Sequence, residues 1–105
     1  MLRIYKVALD VVPVVIGLAA VIAGKDRDQA RQLRRSMMSV VNNLAEGAGN
    51  DGGRRRQRYK DALGSAMESI GNLRASQAAG YVRVDAAVLD KLEHVKAVLI
   101  RILYM

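Results

Sequence analysis

Two helical hydrophobic patterns lie back to back between Leu33 and Glu68, separated only by a short polar turn. Leu33, Met37, Val40 and Leu44 recur at steps of four, three and four, which places them on one face of a helix. Tyr59, Leu63, Ala66, Ile70, Leu73 and Gln77 follow in similar steps. Between the patterns come Gly47 and Gly49, residue types well able to take the left-handed conformation that closes a helix. The polar turn Asn50-Asp51-Gly52-Gly53 follows. Two long helices joined by so short a turn must lie antiparallel.

Two more helices flank this pair. Upstream, Asp26 with Gln29 reads as a capping box that starts the second helix near Arg27. Downstream, Gly80 is a natural stop for the third helix, with Tyr81 able to fold back on its last turn. Asp85 caps a fourth helix whose seam is Val88, Leu92, Val95, Leu99 and Ile102. Lys91, Glu93, Lys96 and Arg101 fall largely off that seam and read as solvated. The helices are predicted at roughly 3–23, 27–47, 53–79 and 86–104, in one domain covering residues 1–105.

The first helix is apolar on almost every side from Val7 to Ala23. Arg3 and Lys6 before this run imitate the basic start of an export signal. Asp10 argues against insertion, since an acid at a bilayer centre costs about 2.5–3.5 kcal/mol on insertion scales. The run also falls short of the ~20 apolar residues that a spanning helix needs. The expectation is therefore a cytoplasmic protein with no membrane role. A helix apolar all round needs burial all round, and a bundle covers only one side, so the exposed side calls for another subunit. Pro13 removes one backbone bond and marks the place for a kink.

A polar stripe runs off the main seams. Arg35, Ser39 and Asn43 are four apart on the second helix with Glu46 close to their line, and Gly64, Ser65, Glu68 and Asn72 form a counterpart on the third. Such stripes are either solvated faces or contacts between helices or subunits. In the contact reading Arg35 pairs with Glu46, Glu68 or another carboxylate.

These residues carry a resemblance. Arg35-x-x-x-Ser39-x-x-x-Asn43-x-Ala45-Glu46-Gly47, followed by Ala62-Leu63-Gly64-Ser65-x-x-Glu68, is similar to the signature of small four-helix-bundle proteins encoded in intervening sequences of bacterial 23S ribosomal RNA genes. The similarity covers nearly the whole chain. It implies an all-α, antiparallel up-down four-helix bundle that assembles into a homopentameric ring, with Arg35, Ser39, Asn43, Glu46, Gly47, Ser65 and Glu68 as a motif network. It further implies kinship with the accessory bundle protein of diversity-generating retroelements, which contacts nucleic acid and a reverse transcriptase. The resemblance supplies no activity.

Charge points toward polyanions. Seventeen Lys and Arg against ten Asp and Glu give a net charge of +7. Arg54, Arg55, Arg56, Arg58 and Lys60 crowd the start of the third helix, and Lys25, Arg27, Arg31, Arg34 and Arg35 line the first half of the second. Cations at a helix N-terminus oppose the macrodipole by about 0.3–1 kcal/mol each. A bound phosphate reverses that balance. The other reading is a solvated arginine run that keeps an apolar ring soluble.

Enzymatic readings find no constellation. There is no cysteine, which removes thiol chemistry and disulfides and fits a reducing compartment. His94, the single histidine, lies among charged positions, and Glu46 with Glu68 lacks the Glu-x-x-His pattern of a di-metal bundle. Gly47-Ala48-Gly49 and Gly52-Gly53 form no nucleotide fingerprint. With neither Phe nor Trp, base stacking falls to Tyr5, Tyr59, Tyr81 and Tyr104. The expectation is a non-enzymatic protein with no cofactor or metal. It either binds RNA or DNA as an accessory or scaffold, or it is a structural or protein-interaction bundle.

Overall fold

The structure, a computed structural model, describes residues 3–105. Four helices account for most of it: α1 (Arg3–Ala23), α2 (Arg27–Ala48), α3 (Gly52–Ala78) and α4 (Ala86–Tyr104). The described residues include no strand. α2 packs on α1 and α3, and α4 packs on α3 and α1. The molecule measures 42 × 22 × 20 Å, close to the length of α3, whose 27 residues span about 40 Å at 1.5 Å each.

Direction follows from side-chain contacts. Gln29 near the start of α2 reaches Asn72 and Ser76 late in α3, Ser36 meets Ser69 in the middle, and Glu46 meets Arg58 at the far end. These two helices are therefore antiparallel. Arg74 with Glu93, and Arg56 with the carbonyl of Leu103, run the same way between α3 and α4.

The core is aliphatic and small. Leu33, Met37, Val40 and Leu44 of α2 are fully buried and belong to one core cluster with Leu73 of α3 and Leu92, Val95 and Leu99 of α4. Burial of each large side chain contributes about 1.5–3 kcal/mol. α1 contributes Ile4, Ala8, Val11, Val15, Ala19 and Ile22. That set is one stripe, not a full circumference, because a helix with two neighbours covers only part of its surface. Val14 and Val21 on the other side remain 48% and 57% exposed. The shortfall expected from the Val7–Ala23 run does not hold for the whole helix: over Arg3–Ala23, α1 is by length and composition long and apolar enough to cross a membrane, and it continues through Pro13.

Several local expectations change. Gln77 is exposed instead of continuing the α3 seam, and its Oε1 accepts from the Val84 amide at 2.6 Å, which ties down the connection to α4. Ile102 is 43% exposed, while Leu103, four residues beyond Leu99, takes the inner position. Gly49 closes α2 in an ordinary right-handed conformation (φ −86°). The left-handed glycines are Gly52 and Gly80, at φ 56° and 79°. Past Gly80, the Tyr81 amide donates to the Ser76 carbonyl at 2.9 Å, which is the fold-back that ends α3. Asp26 accepts from the Gln29 amide at 3.0 Å, but the reciprocal half of the capping box is absent, because the Gln29 side chain is spent on α3.

Candidate nucleic-acid interface

The start of α3 lies where α2 and α4 end, and its arginines are arranged around that fact. Arg55 Nε donates to the carbonyls of Gly47 (3.2 Å) and Asn50 (2.8 Å). Arg56 Nη1 donates to the Leu103 carbonyl at 2.7 Å, and its guanidinium stands 5.5 Å from the Tyr104 ring centroid. Arg58 pairs with Glu46 at 2.9 Å. The cations that oppose the dipole of α3 thus meet the negative ends of α2 and α4, where positive charge is favourable. An anion is not required to explain them. Arg54 and Lys60 are exposed and have no carboxylate within ion-pair distance among the described residues.

The second basic set lies toward the other end of the molecule. Lys25, Arg27, Arg31, Arg34 and Arg35 are all exposed along the first half of α2 and the turn before it. Arg31 is paired with Asp28, which also accepts from Gln32. Lys25, Arg27, Arg34 and Arg35 make no ion pair among the described residues. Within the described chain Arg35 does not take the carboxylate partner expected of it: Glu46 is engaged with Arg58, and Glu68 only borders the same groove between α2 and α3.

The polar stripe divides in two. Ser39, Asn43 and Ser65 do come together: Ser65 Oγ donates to Ser39 Oγ at 2.7 Å, and Asn43 Nδ2 donates to the Ser39 carbonyl at 2.9 Å. Arg35, Glu46 and Glu68 stay at the exposed edge. Gly47 is buried against Tyr59. The deeper half of this seam falls on residues that the motif does not name. Ser69 Oγ donates to Ser36 Oγ at 2.8 Å, Ser36 donates to the Leu33 carbonyl, and Asn72 Nδ2 donates to the Gln29 carbonyl at 3.0 Å. The signal was present as Ser36, Ser69 and Ser76 at core-facing positions, where small polar side chains let two helices approach and find partners across the gap. Among the described residues no buried side-chain polar atom lacks a partner.

His94 is exposed, and no three His, Asp or Glu residues cluster closely enough for a metal ion among the described residues. Glu93 sits between two cations, Lys96 and Arg74. The hydrogen bond from Lys96, 3.0 Å away, holds its carboxyl below the usual range, and Arg74 at 3.5 Å adds to the effect.

A chain of four packed helices with a hydrogen-bonded serine seam inside and unpaired arginines outside defines a class of small basic helical protein. Its family follows from the comparison with known proteins. The family model described as 23S rRNA-intervening sequence protein matches residues 1–101, and the chain belongs to that family. No curated protein matches the chain, and no solved structure does.

Proposed function

We propose that this protein is a non-enzymatic, self-assembling helical scaffold that binds the phosphate backbone of RNA or DNA as an accessory to another protein. The observation that carries the reading is the set of exposed cations on α2. Arg27, Arg34 and Arg35 have no ion-pair partner within the described chain, and the net charge is +7. Unpaired arginines on a rigid helix suit contacts that release counterions without reading bases. In this proposal the helices run up, down, up and down, and copies form a homopentameric ring in the cytoplasm, off the membrane. The ring repeats the α2 cations around one rim and Arg54 around the other. A reverse transcriptase or another nucleic-acid enzyme is the protein partner that the family resemblance suggests.

The test is titration of a labelled RNA and a labelled duplex at two salt concentrations. Affinity is expected to fall with salt, with a log–log slope of about −0.9 per phosphate neutralised on duplex DNA. Replacing Arg27, Arg34 and Arg35 together by Gln is expected to weaken binding to every sequence and flatten that slope, with the melting temperature little changed. Equal binding by the variant removes α2 as the interface.

The second reading is a structural or protein-interaction bundle without nucleic acid. It is favoured by the engagement of Arg55, Arg56 and Arg58 within the chain. Absence of binding to either probe at low salt selects it.

A further inference from the structure

Past the first turn of each helix, three glycines have no reason within one chain to be glycine. A Cβ added at Gly17 of α1, or at Gly64 or Gly71 of α3, would meet nothing within 4 Å. All three are exposed, and none has positive φ. Alanine at each would favour the helix. What a bare backbone at an outer helix face does permit is the close approach of something else. On the same two outer faces, bulky apolar side chains stand out: Val14 and Val21 on α1, and Met67, 54% exposed, on α3.

These features interlock in one register. On α1, Asp10, Val14, Gly17 and Val21 are spaced four, three and four, and on α3 Lys60, Gly64, Met67 and Gly71 have the same spacing. All eight are exposed. With the two helices side by side in the same direction and Asp10 level with Lys60, Val14 lies against Gly64. Met67 then lies against Gly17, and Val21 against Gly71. Each bulky side chain meets a glycine, and the acid meets the base. Reversing one helix pairs Val14 with Met67 and Gly17 with Gly64, and loses the match. Steps of four and three are those of a knobs-into-holes seam. Asp10 is the only acid on α1, and neither it nor Lys60 has an ion-pair partner among the described residues.

We propose that α1 of one copy packs in parallel on α3 of a second copy through this seam. The inference rests on the self-assembly put forward above and names the surface that performs it. The occupant is another copy because the chain itself carries both complements, in charge and in shape. Two different faces are joined, so the contact is heterologous: each copy presents α1 to one neighbour and α3 to the other, which closes into a ring when the rotation permits. Parallel alignment agrees with a symmetry axis along the helices. Lys60 is then occupied by a subunit contact and is withdrawn from the surface offered to polyanions.

The chain has no cysteine, so oxidative crosslinking reads the register directly. Val14→Cys and Gly64→Cys are placed in separate chains, which are mixed under exchange conditions and oxidised, with light scattering of the unmodified protein in parallel. A covalent heterodimer is expected from this mixture and from Val21→Cys with Gly71→Cys. It should be lost for Val14→Cys with Gly71→Cys, which stand one heptad out of register. Lys60→Glu is expected to cut the crosslink yield several-fold, and adding Asp10→Lys in the same chains to restore it. A multimer that fails to crosslink at Val14 and Gly64, or crosslinks equally out of register, overturns this contact and leaves self-assembly standing. A monomer by light scattering overturns both. A monomer that floats with phosphatidylcholine vesicles gives the outer face of α1 to lipid, which also overturns the proposal.

Discussion

A methyl group added at Gly47 would lie 2.3 Å from Cε1 and 2.6 Å from Cδ1 of Tyr59. The ring is buried between helices and is poorly placed to retreat. Gly47→Ala is therefore expected to destabilise the fold by about 1–3 kcal/mol, the usual range for overpacking. Gly49→Ala, where a Cβ would find only ordinary contacts, should stay within about 0.5 kcal/mol. Urea unfolding of the two variants distinguishes them. From sequence, Gly47 reads as a helix closer, because glycine is chosen both for backbone freedom and for lack of bulk, and one residue letter cannot separate the two reasons. Glu93 gives a residue-scale pH dependence. Its folded pKa lies below its unfolded one, so its contribution is fully present above the ordinary glutamate pKa of about 4.3 and is lost as pH falls through the depressed value. Glu93→Gln, which resembles the protonated form, should cost at neutral pH the same amount that acid takes from the wild type through this group, a small amount because the group is partly exposed, and should cost little at low pH. Acid titration of unfolding free energy for both proteins checks it.

Among the elements, hydrophobic spacing carried most of the architecture. The α2 seam from Leu33 to Leu44 is buried throughout because steps of four and three can hold one helical face and nothing else in that stretch competes. The spacing drifts near helix ends, and there it misleads. Ile102 and Leu103 sit one residue apart at the end of α4, and the turn of the last few residues decides between them. Half the candidate site was legible in the same limited sense. The basic runs are visible as composition, but whether an arginine faces solvent or a neighbouring helix end depends on which helices finish beside it, and that is a property of the packed chain. Arg55 and Arg56 show the difference. The charge run alone predicts that replacing Arg54, Arg55, Arg56 and Arg58 by Gln relieves a clash with the dipole of α3. The contacts with Gly47, Asn50, Leu103 and Glu46 predict the reverse. The quadruple variant is expected to lose stability, by about 0.5–1.5 kcal/mol for each carbonyl contact removed, since these sites are partly exposed. Arg54→Gln alone should be close to neutral. Thermal melts of the single and quadruple variants decide the sign.

For the molecule as a whole, helix ends are not independent of one another. Arg55 joins the closing turn of α2 to the opening turn of α3, and Arg56 joins the last turn of α4 to the same place. Isolated helix termini fray separately, each with its own small opening free energy. Here the three termini share two guanidinium clasps, so opening one removes a clasp from another. Amide hydrogen exchange should then find the last turns of α2 and α4 opening as one cooperative unit with similar protection. Arg56→Gln is expected to speed exchange not only at Leu103 but, through the loosened start of α3, around Gly47 as well. Acceleration confined to α4 would mean that the clasps act singly. Coupled opening would give this end of the molecule one threshold for local unfolding, set by residues whose charge suggests a surface role.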